Sequence, residues 1–203
     1  LMALRDLREF LKLLDARGEL HHVTAEVDPD LEITEITDRV VKSGGPALLF
    51  ENVKGSPFPL VTNIFGSEAR MSLALGVDEW GELEHRIEKL LELAMGPPPK
   101  GIFGKLGALG DIIKMGRIGP KEVGSGPCQE VVETENPSLS EIPIVKCWPD
   151  DGGRYITLPL VFTHDPSTAR RNVGMYRLQV FDERTLGMHW QLHKGGSEHF
   201  RQA

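Results

Sequence analysis

The sequence predicts an α+β protein, with helices on a small mixed sheet in residues 1–120 and the first part of an antiparallel, barrel-type sheet in residues 121–203. Apolar residues recur at helical spacing through the first 95 residues. The later part instead contains short runs rich in valine, threonine, leucine and aromatic residues, which are typical of strands. With 40% hydrophobic and 26% charged residues among 203, the chain can bury a core.

The first elements alternate between helix and strand. Leucines at three- and four-residue spacing within residues 4–14 predict an amphipathic helix that ends at Gly18. Alternating apolar residues predict a strand within residues 21–27. A second apolar stripe over residues 33–41 predicts a helix that ends at the glycine pair 44–45.

Two strands and a broken helix complete the first part. The apolar runs 47–50 and 60–65 predict short strands, and residues 67–94 predict a helix that a glycine interrupts. The prolines of residues 97–99 predict a stiff spacer. The glycine-rich residues 101–120 predict a loop that could hold a short helix.

The second part predicts consecutive strands joined by short turns. The four strand-like runs are residues 128–134, 155–164, 172–181 and 186–193. Aspartate, glycine and proline clusters separate them, and this connectivity favours an antiparallel sheet, often a barrel. Residues 195–198 predict the start of a helix, so we expect the chain to stop in the middle of a domain.

Charge and composition exclude several classes of function. The net charge is −7 and the isoelectric point is near 5.5, which argues against binding to nucleic acid or to anionic lipid. No apolar run approaches the ~18 residues that span a bilayer, and the first residues lack the order of a secretion signal. The two cysteines, Cys128 and Cys147, cannot form a disulfide framework. We therefore expect a soluble cytoplasmic protein with reduced thiols.

A single arginine is the most informative residue in the β-rich part. The sequence lacks the common short motifs for phosphate loops, zinc proteases, serine hydrolases and dinucleotide binding. On a strand over residues 172–180, Met175, Arg177 and Gln179 share one face. A guanidinium among apolar neighbours needs an acidic partner or an anionic ligand. Both a structural ion pair and a grip on a carboxylate or phosphate fit this pattern.

Two further groups are weaker candidates for binding. His189 and His193 lie four residues apart, which is about 13 Å on a strand and too far for both to ligate one metal ion. Either histidine is equally consistent with a core or surface position. Lys194 and the glycines after it precede a predicted helix, and such a segment either binds an anion or simply forms a turn.

Taken together, ten segments of the chain resemble the UbiD family of decarboxylases, in one order and over almost the whole length. They include the Asn-Val-Gly-Met-Tyr-Arg of residues 172–177 and the His-Lys-Gly-Gly of residues 193–196. The other eight are residues 4–11, 18–20, 27–29, 31–36, 44–52, 63–66, 142–144 and 147–149.

The resemblance implies the N-terminal portion of a longer enzyme. Members of this family have an N-terminal α/β region, a split β-barrel that binds prenylated FMN, and a C-terminal domain through which they assemble. They catalyse the reversible non-oxidative decarboxylation of aromatic or α,β-unsaturated carboxylic acids. The resemblance further implies a divalent metal, typically Mn²⁺, with K⁺ beside the flavin phosphate, and a flavin prenyltransferase as the source of the cofactor. It also implies a homo-oligomer when the protein is full length.

The same resemblance assigns roles to individual residues. Arg177 matches the catalytic arginine that faces the substrate carboxylate, and Asn172 and His193 match metal ligands. The cofactor-contacting positions are Met175, Tyr176, Arg177, His189, Trp190, Gln191, Lys194 and Gly195. Strict alternation puts Asn172 on the face opposite Arg177, so a shared site requires a bend or a strand end at Asn172.

The expected activity of the isolated chain is limited. A metal-ligating glutamate and an acidic proton donor of the family would lie beyond Ala203, so we expect this fragment alone to be inactive. The alternative function is a flavin-phosphate-binding or assembly module without chemistry, because barrels of this kind also occur in ordinary flavoproteins. A truncated chain that folds only in part is a third reading.

Overall fold

A computed structural model describes residues 4–95 and 122–203 of the chain. The predicted spacer, the glycine-rich loop and the predicted boundary at residue 120 lie outside these described residues. The chain divides into two compact units. One contains Met71–Thr134 with the first residues of the chain, and the other contains Arg5–Arg70 together with Glu135–Ala203.

The larger unit begins with a three-stranded sheet and two helices. Its elements are α1 (Leu7–Ala16), β1 (Leu20–Val27), α2 (Glu32–Lys42), β2 (Ala47–Val53) and β3 (Leu60–Thr62). The Asp6 side chain caps α1 by accepting a hydrogen bond from the Glu9 N–H. β1 pairs with β2 in parallel, because α2 carries the chain back to the starting edge, and β2 pairs with β3 antiparallel.

The apolar stripes seen in the sequence meet in one core. Phe50 on the central strand β2 is 0% exposed, and Ile33 of α2 is fully buried beside it. The other buried members of this core are Val27, Leu48 and Val53. We refer to residues 7–62 as the N-terminal sheet region, and its elements confirm the helices and strands predicted for this part of the sequence.

Two further helices follow this sheet. They are α3 (Glu68–Leu75) and α4 (Trp80–Met95), and the break between them contains Gly76 at a φ of 64°, a conformation that favours glycine. Arg70 of α3 is buried, and its guanidinium forms an ion pair with Glu19 at 2.8 Å. The presence of α4 confirms the predicted helix. Its apolar stripe is not buried, since Ile87, Leu90 and Leu91 along it are exposed.

The β-rich part folds into short strands and one helix. These are β4 (Tyr155–Ile156), β5 (Leu160–His164), β6 (Arg171–Met175), β7 (Leu178–Val180), β8 (Leu186–Met188) and α5 (Gly195–Gln202). β4, β7 and β8 form one antiparallel sheet with β7 at its centre, and β5 pairs with β6 in a separate hairpin. We refer to residues 142–203 as the strand region.

The β-rich part differs from the prediction in four places, one of which is the run 186–193, where the strand ends at Met188. Residues 128–134 are not a strand, since a 3₁₀ turn at Pro127–Gln129 opens this segment. The run 155–164 breaks before Leu160, where Pro159 has no N–H to donate to a ladder. The run 172–181 breaks at positions 176–177. Within the described residues these strands form separate sheets and not a closed barrel, so the split barrel is not confirmed.

The segment before β4 joins the strand region to the N-terminal sheet region. The Leu31 N–H donates to the Lys146 carbonyl at 3.1 Å, and the Lys146 N–H donates to the Pro29 carbonyl at 3.1 Å. The Tyr155 N–H donates to the Val145 carbonyl at 2.9 Å, so β4 is tied to the same segment. Among the described helices, none combines the length and apolar character that a bilayer span requires.

Candidate functional site

The structure separates the predicted site residues into two groups at the break between β6 and β7. Tyr176 is 3% exposed and faces α5, whereas the next residue, Arg177, is exposed and borders a cavity. We call the first group the Tyr176 cluster, comprising Asn172, Tyr176, Trp190, Lys194 and Gly195. We call the second the Arg177 cavity, which is lined by Tyr155, Arg177, Gln179, Phe181, Gly187, Met188 and His189.

The Tyr176 side chain connects β6 to the start of α5. Its hydroxyl accepts a hydrogen bond from the Gly196 N–H at 2.7 Å, which satisfies one of the free backbone donors at the helix N-terminus. Its ring packs edge-on against Trp190, with 5.4 Å between the ring centroids. Trp190 in turn stacks on Phe200 of α5 at 5.4 Å. The aromatic residues therefore hold α5 against the strands.

Glycine is required where α5 meets this cluster. A Cβ atom on Gly196 would lie 2.7 Å from the Tyr176 hydroxyl oxygen and 2.8 Å from the Trp190 ring. A Cβ atom on Gly195 would lie 2.6 Å from the Asn172 Oδ1 atom. The glycine pair of the sequence thus serves the close packing of the helix N-terminus on side chains of the strand region.

Asn172 belongs to this cluster and not to the Arg177 cavity. It is the second residue of β6, opposite Thr163 of β5, on the same side of the strand as Tyr176. Its amide Nδ2 donates to the Thr163 hydroxyl at 3.3 Å and to the Tyr176 hydroxyl at 3.4 Å. The Thr163 hydroxyl is also 2.9 Å from the Nδ1 atom of His199 in α5. The chain leaves the strand at Tyr176 and Arg177, and Asn172 keeps the regular alternation.

Lys194 lies at the start of α5 with its ammonium group near both β6 and Tyr176. Its Nζ donates to the Met175 carbonyl at 2.9 Å and lies 5.2 Å from the centroid of the Tyr176 ring. Gln191 and His193 are exposed in the turn before it. This arrangement places one cation at the positive end of a helix, where an anion is favoured.

The Arg177 cavity has a volume of about 240 Å³. The Arg177 guanidinium carbon lies 4.4 Å from the centroid of the Tyr155 ring, within the range of a cation–π contact. The His189 N–H donates to the Arg177 carbonyl at 3.0 Å, which brings the residue after β8 to the cavity wall. Within residues 4–95 and 122–203, no carboxylate forms an ion pair with this guanidinium. The sequence allowed Arg177 to form a structural ion pair, and no such ion pair is found within these residues.

A second and larger cavity lies between α2, β3 and residues 145–149. Its volume is about 760 Å³, and apolar side chains such as Val41, Leu60 and Trp148 make up much of its lining. It has no lysine, arginine or histidine in its wall, so it lacks a cation to pair with a carboxylate. Burial raises the pKa of the Cys147 thiol in this wall, with a further rise from Asp151 and an opposing effect from Arg177. The smaller cavity is therefore the better candidate for an anionic ligand.

Sequence reasoning missed Tyr155 and Thr163. Each lies on a strand other than β6, and only the pairing of β4 with β7 and of β5 with β6 brings it to the predicted residues. The paired glycines before Tyr155 were the one sign in the sequence that the backbone there approaches another segment closely. In the structure Gly153 has a φ of 153°, a conformation that favours glycine. Among the described residues, histidine, cysteine and carboxylate side chains nowhere gather in the groups of three or more that could hold a metal ion.

Family models match most of the chain. Residues 11–90 match the N-terminal domain of 3-octaprenyl-4-hydroxybenzoate carboxy-lyase, and residues 121–203 match its Rift-related domain. An uncharacterized protein of Archaeoglobus fulgidus is 49% identical over 200 residues, which are 98% of this chain and 40% of that protein. The chain thus spans about two fifths of the length of such relatives.

Solved structures of similar chains include a vanillic acid decarboxylase and UbiD-class enzymes. The vanillic acid decarboxylase of Sedimentibacter hydroxybenzoicus in its closed form is 29% identical, with a TM-score of 0.79 over 100% of this chain and 40% of that one. The UbiD-class enzyme HmfF of Pelotomaculum thermopropionicum with FMN is 30% identical, with a TM-score of 0.75 over 97% of this chain and 39% of that one. An evolved dimeric form of HmfF with prFMN is 31% identical, with a TM-score of 0.70 over 91% and 38% of the two chains.

Proposed function

The chain belongs to the UbiD family, and we propose that it contributes the carboxylate-binding arginine and part of the cofactor site of a decarboxylase that uses prenylated FMN. The substrate class is an aromatic or α,β-unsaturated carboxylic acid, and the reaction is its reversible non-oxidative decarboxylation. In this proposal, strands of residues 142–203 form part of a split β-barrel. The activity belongs to a longer protein of which this chain is the N-terminal portion.

One observation carries the proposal. The Arg177 guanidinium borders a cavity, has no carboxylate partner within the described residues, and lies on an aromatic ring. A guanidinium forms two parallel hydrogen bonds with a carboxylate, so such a site favours a carboxylic acid as its ligand. The rings of Tyr155 and Phe181 and the side chain of Met188 supply apolar surface for the rest of a small organic acid.

The residues of the Tyr176 cluster fit the phosphate of a flavin better than they fit a metal ion. Lys194 and the N-terminus of α5 provide a cation and a helix dipole for an anion. Asn172 and His193 would supply an amide oxygen and an imidazole to Mn²⁺. Carboxylates, which Mn²⁺ prefers, do not gather with them in the described part of the chain. A divalent ion would therefore need further oxygen ligands, such as the flavin phosphate.

Prenylated FMN, when bound, would supply an electron sink for the charge that develops as CO₂ leaves. The chain's own residues bind and orient the substrate. Arg177 would hold the carboxylate in one orientation, and the neighbouring rings would exclude water from it. The Tyr176 cluster would position the cofactor, through Tyr176, Trp190 and Lys194. Aspartate and glutamate are absent from the cavity wall, so a carboxylic acid that protonates the product is not among its lining residues.

The alternative is a module that binds the flavin phosphate or supports assembly without chemistry. The Tyr176 cluster alone is sufficient for that function, whereas the Arg177 cavity would then have no ligand. The two functions therefore differ in whether the chain binds a small carboxylate as well as the flavin.

Flavin retention tests the proposed cofactor site. The chain would be co-expressed with a flavin prenyltransferase, and the purified protein would be examined by ultraviolet-visible spectroscopy. We expect a flavin absorption band in the wild type and its loss in Lys194→Met, because the phosphate loses its cation. Arg170→Met, which removes an exposed cation at the turn between β5 and β6, is the matched control and should retain the band. A wild-type protein without flavin would overturn the proposed function for this chain.

A further inference from the structure

We propose that Tyr155 is a positioning residue, whose ring holds the Arg177 guanidinium in place to receive a carboxylate. This inference rests on the proposed function, because it assigns to Tyr155 the orientation of the proposed carboxylate-binding group. The sequence resemblance marks Arg177 but not the residue beneath it, and Tyr155 reaches it only through the pairing of β4 with β7.

The ring restrains the cation without using its hydrogen-bond donors. The guanidinium carbon lies 4.4 Å from the Tyr155 centroid, so the cation is attracted to the face of the ring. A carboxylate partner would also restrain the arginine, but it would occupy the N–H groups that must bind the ligand. An arginine held only by its face keeps all five N–H donors available. The ring therefore lowers the loss of side-chain entropy on binding and leaves the binding edge open.

Tyr155 is itself fixed from two sides. Its backbone is opposite Gln179 of β7, and its N–H donates to the Val145 carbonyl at 2.9 Å. The Gln179 side chain donates from Nε2 to the Gly152 carbonyl at 3.1 Å, and a Cβ atom on Gly152 would lie 2.9 Å from that nitrogen. The glycine turn thus lies beside the hydroxyl end of Tyr155, since a Cβ atom on Gly152 would lie 3.6 Å from the Tyr155 hydroxyl oxygen. The exposed arginine therefore lies on a firmly held ring.

The structure assigns this role to the ring and not to the hydroxyl. In the described part of the chain, the Tyr155 hydroxyl has no hydrogen-bond partner. Phenylalanine at this position would keep the ring face, whereas leucine would keep apolar bulk without the π-system that attracts a cation. The two substitutions therefore separate the proposed role from simple packing.

The test measures benzoate binding and the state of the arginine in the same samples. Wild type, Tyr155→Phe and Tyr155→Leu would be titrated with benzoate by calorimetry, and the Arg177 Nε–Hε signal would be followed by ¹⁵N NMR. We expect Tyr155→Phe to bind like the wild type and Tyr155→Leu to bind about fivefold more weakly. The Arg177 signal should move in the leucine variant only. Phe162→Leu, which removes an exposed ring of β5 outside the cavity, is the control and should change neither readout.

The outcomes distinguish this inference from the proposed function. Equal benzoate affinity in the wild type and Tyr155→Leu, with an unchanged Arg177 signal, would overturn the role of Tyr155 alone. A wild type that does not bind benzoate would overturn both the role of Tyr155 and the carboxylate site. If Tyr155→Leu does not fold, ring-current shifts and contacts between the Arg177 Hδ protons and the Tyr155 ring in the wild type decide the question. Their absence would overturn the inference.

Discussion

The N-terminal sheet region and the strand region use their apolar residues in different ways. In the N-terminal sheet region a parallel strand pair and its crossover helix bury phenylalanine, isoleucine, leucine and valine side chains almost completely. In the strand region Leu160, Phe162, Val173 and Met175 share one face of the β5–β6 hairpin, and all four are about half exposed or more. The opposite face of this hairpin contacts α5.

This difference indicates where stability and where binding reside. A two-stranded hairpin has too little buried surface to be stable alone, whereas a sheet covered by a helix has its own core. In the strand region the buried residues are Ile144, Tyr176, Gly196 and Ser197, and the last three lie where Tyr176 meets the start of α5. We therefore expect stability to depend mainly on the first region, and the site to depend on a few specific contacts in the second.

The largest effect should come from the centre of the first core. Phe50→Ala removes a fully buried ring and leaves a cavity, so we expect the free energy of unfolding to fall by about 3–5 kcal/mol. Phe162→Ala removes a ring that is 60% exposed, and we expect a change of about 0.5 kcal/mol. Urea unfolding followed by circular dichroism measures both. Similar losses for the two variants would show that the hairpin face is covered in solution and would remove the contrast.

An intermediate effect should come from the contact between Tyr176 and α5. Tyr176→Phe keeps the ring but leaves the buried Gly196 N–H without an acceptor, so we expect a loss of about 1–3 kcal/mol. Tyr155→Phe is the matched control, and we expect its free energy of unfolding to change by less than about 0.5 kcal/mol. Urea unfolding again measures both. Equal losses would show that the hydrogen bond at α5 does not contribute specifically to stability.

The smallest effect should come from a surface ion pair of the first region. His22 of β1 lies with Nδ1 2.6 Å from a Glu51 carboxylate oxygen and Nε2 3.4 Å from an Asp15 oxygen. The hydrogen bond to Glu51 is the main cause that raises the pKa of His22 above its ordinary value near 6.5. A raised pKa in the folded state means that the contribution is complete below about pH 6.5 and is lost as the pH rises through the folded pKa.

An NMR titration of the histidine ring protons measures this shift directly. We expect the His22 signal to titrate at higher pH than His22 in the same protein unfolded by urea. Glu51→Gln should bring the two titrations closer together, and Glu26→Gln, which changes a carboxylate elsewhere on β1, should not. Identical titrations in the folded and unfolded wild type would exclude the ion pair in solution.

The sequence was sufficient to predict the elements of the first region because local and long-range preferences agree there. The leucine spacing predicts α1, the glycines predict where both helices end, and the alternation predicts β1. The core buries the apolar side chains of these same elements, so the two levels agree. The run at residues 128–134 was misleading, since valine and threonine favour a strand only where a neighbouring strand is available. Such a neighbour is not visible in one segment of sequence.

The candidate site could be predicted only in part. Arg177, Tyr176 and the glycines at 195–196 were identified from a resemblance along the chain. Their division into two groups was not predicted: alternation puts Asn172 opposite Arg177, but the resemblance placed both residues at one cofactor site and required a bend at Asn172 that the structure does not have. Tyr155 and Thr163 belong to other strands and carry no motif, so only strand pairing reveals them. Local sequence patterns do not encode contacts between polar residues that are far apart in the sequence, and these contacts complete the candidate site.

The adjacency of Tyr176 and Arg177 has a consequence for how the protein can vary. One residue enters the interior and the next borders the Arg177 cavity, so adding or deleting a single amino acid between β6 and β7 would move both side chains out of these places. A deletion would drive the Arg177 guanidinium against Trp190 and α5, and an insertion would put another side chain at the cavity in place of the arginine. Insertions should therefore be tolerated in the exposed turn at residues 165–170 and rejected at the junction, and a library of single-codon insertions would record that difference position by position.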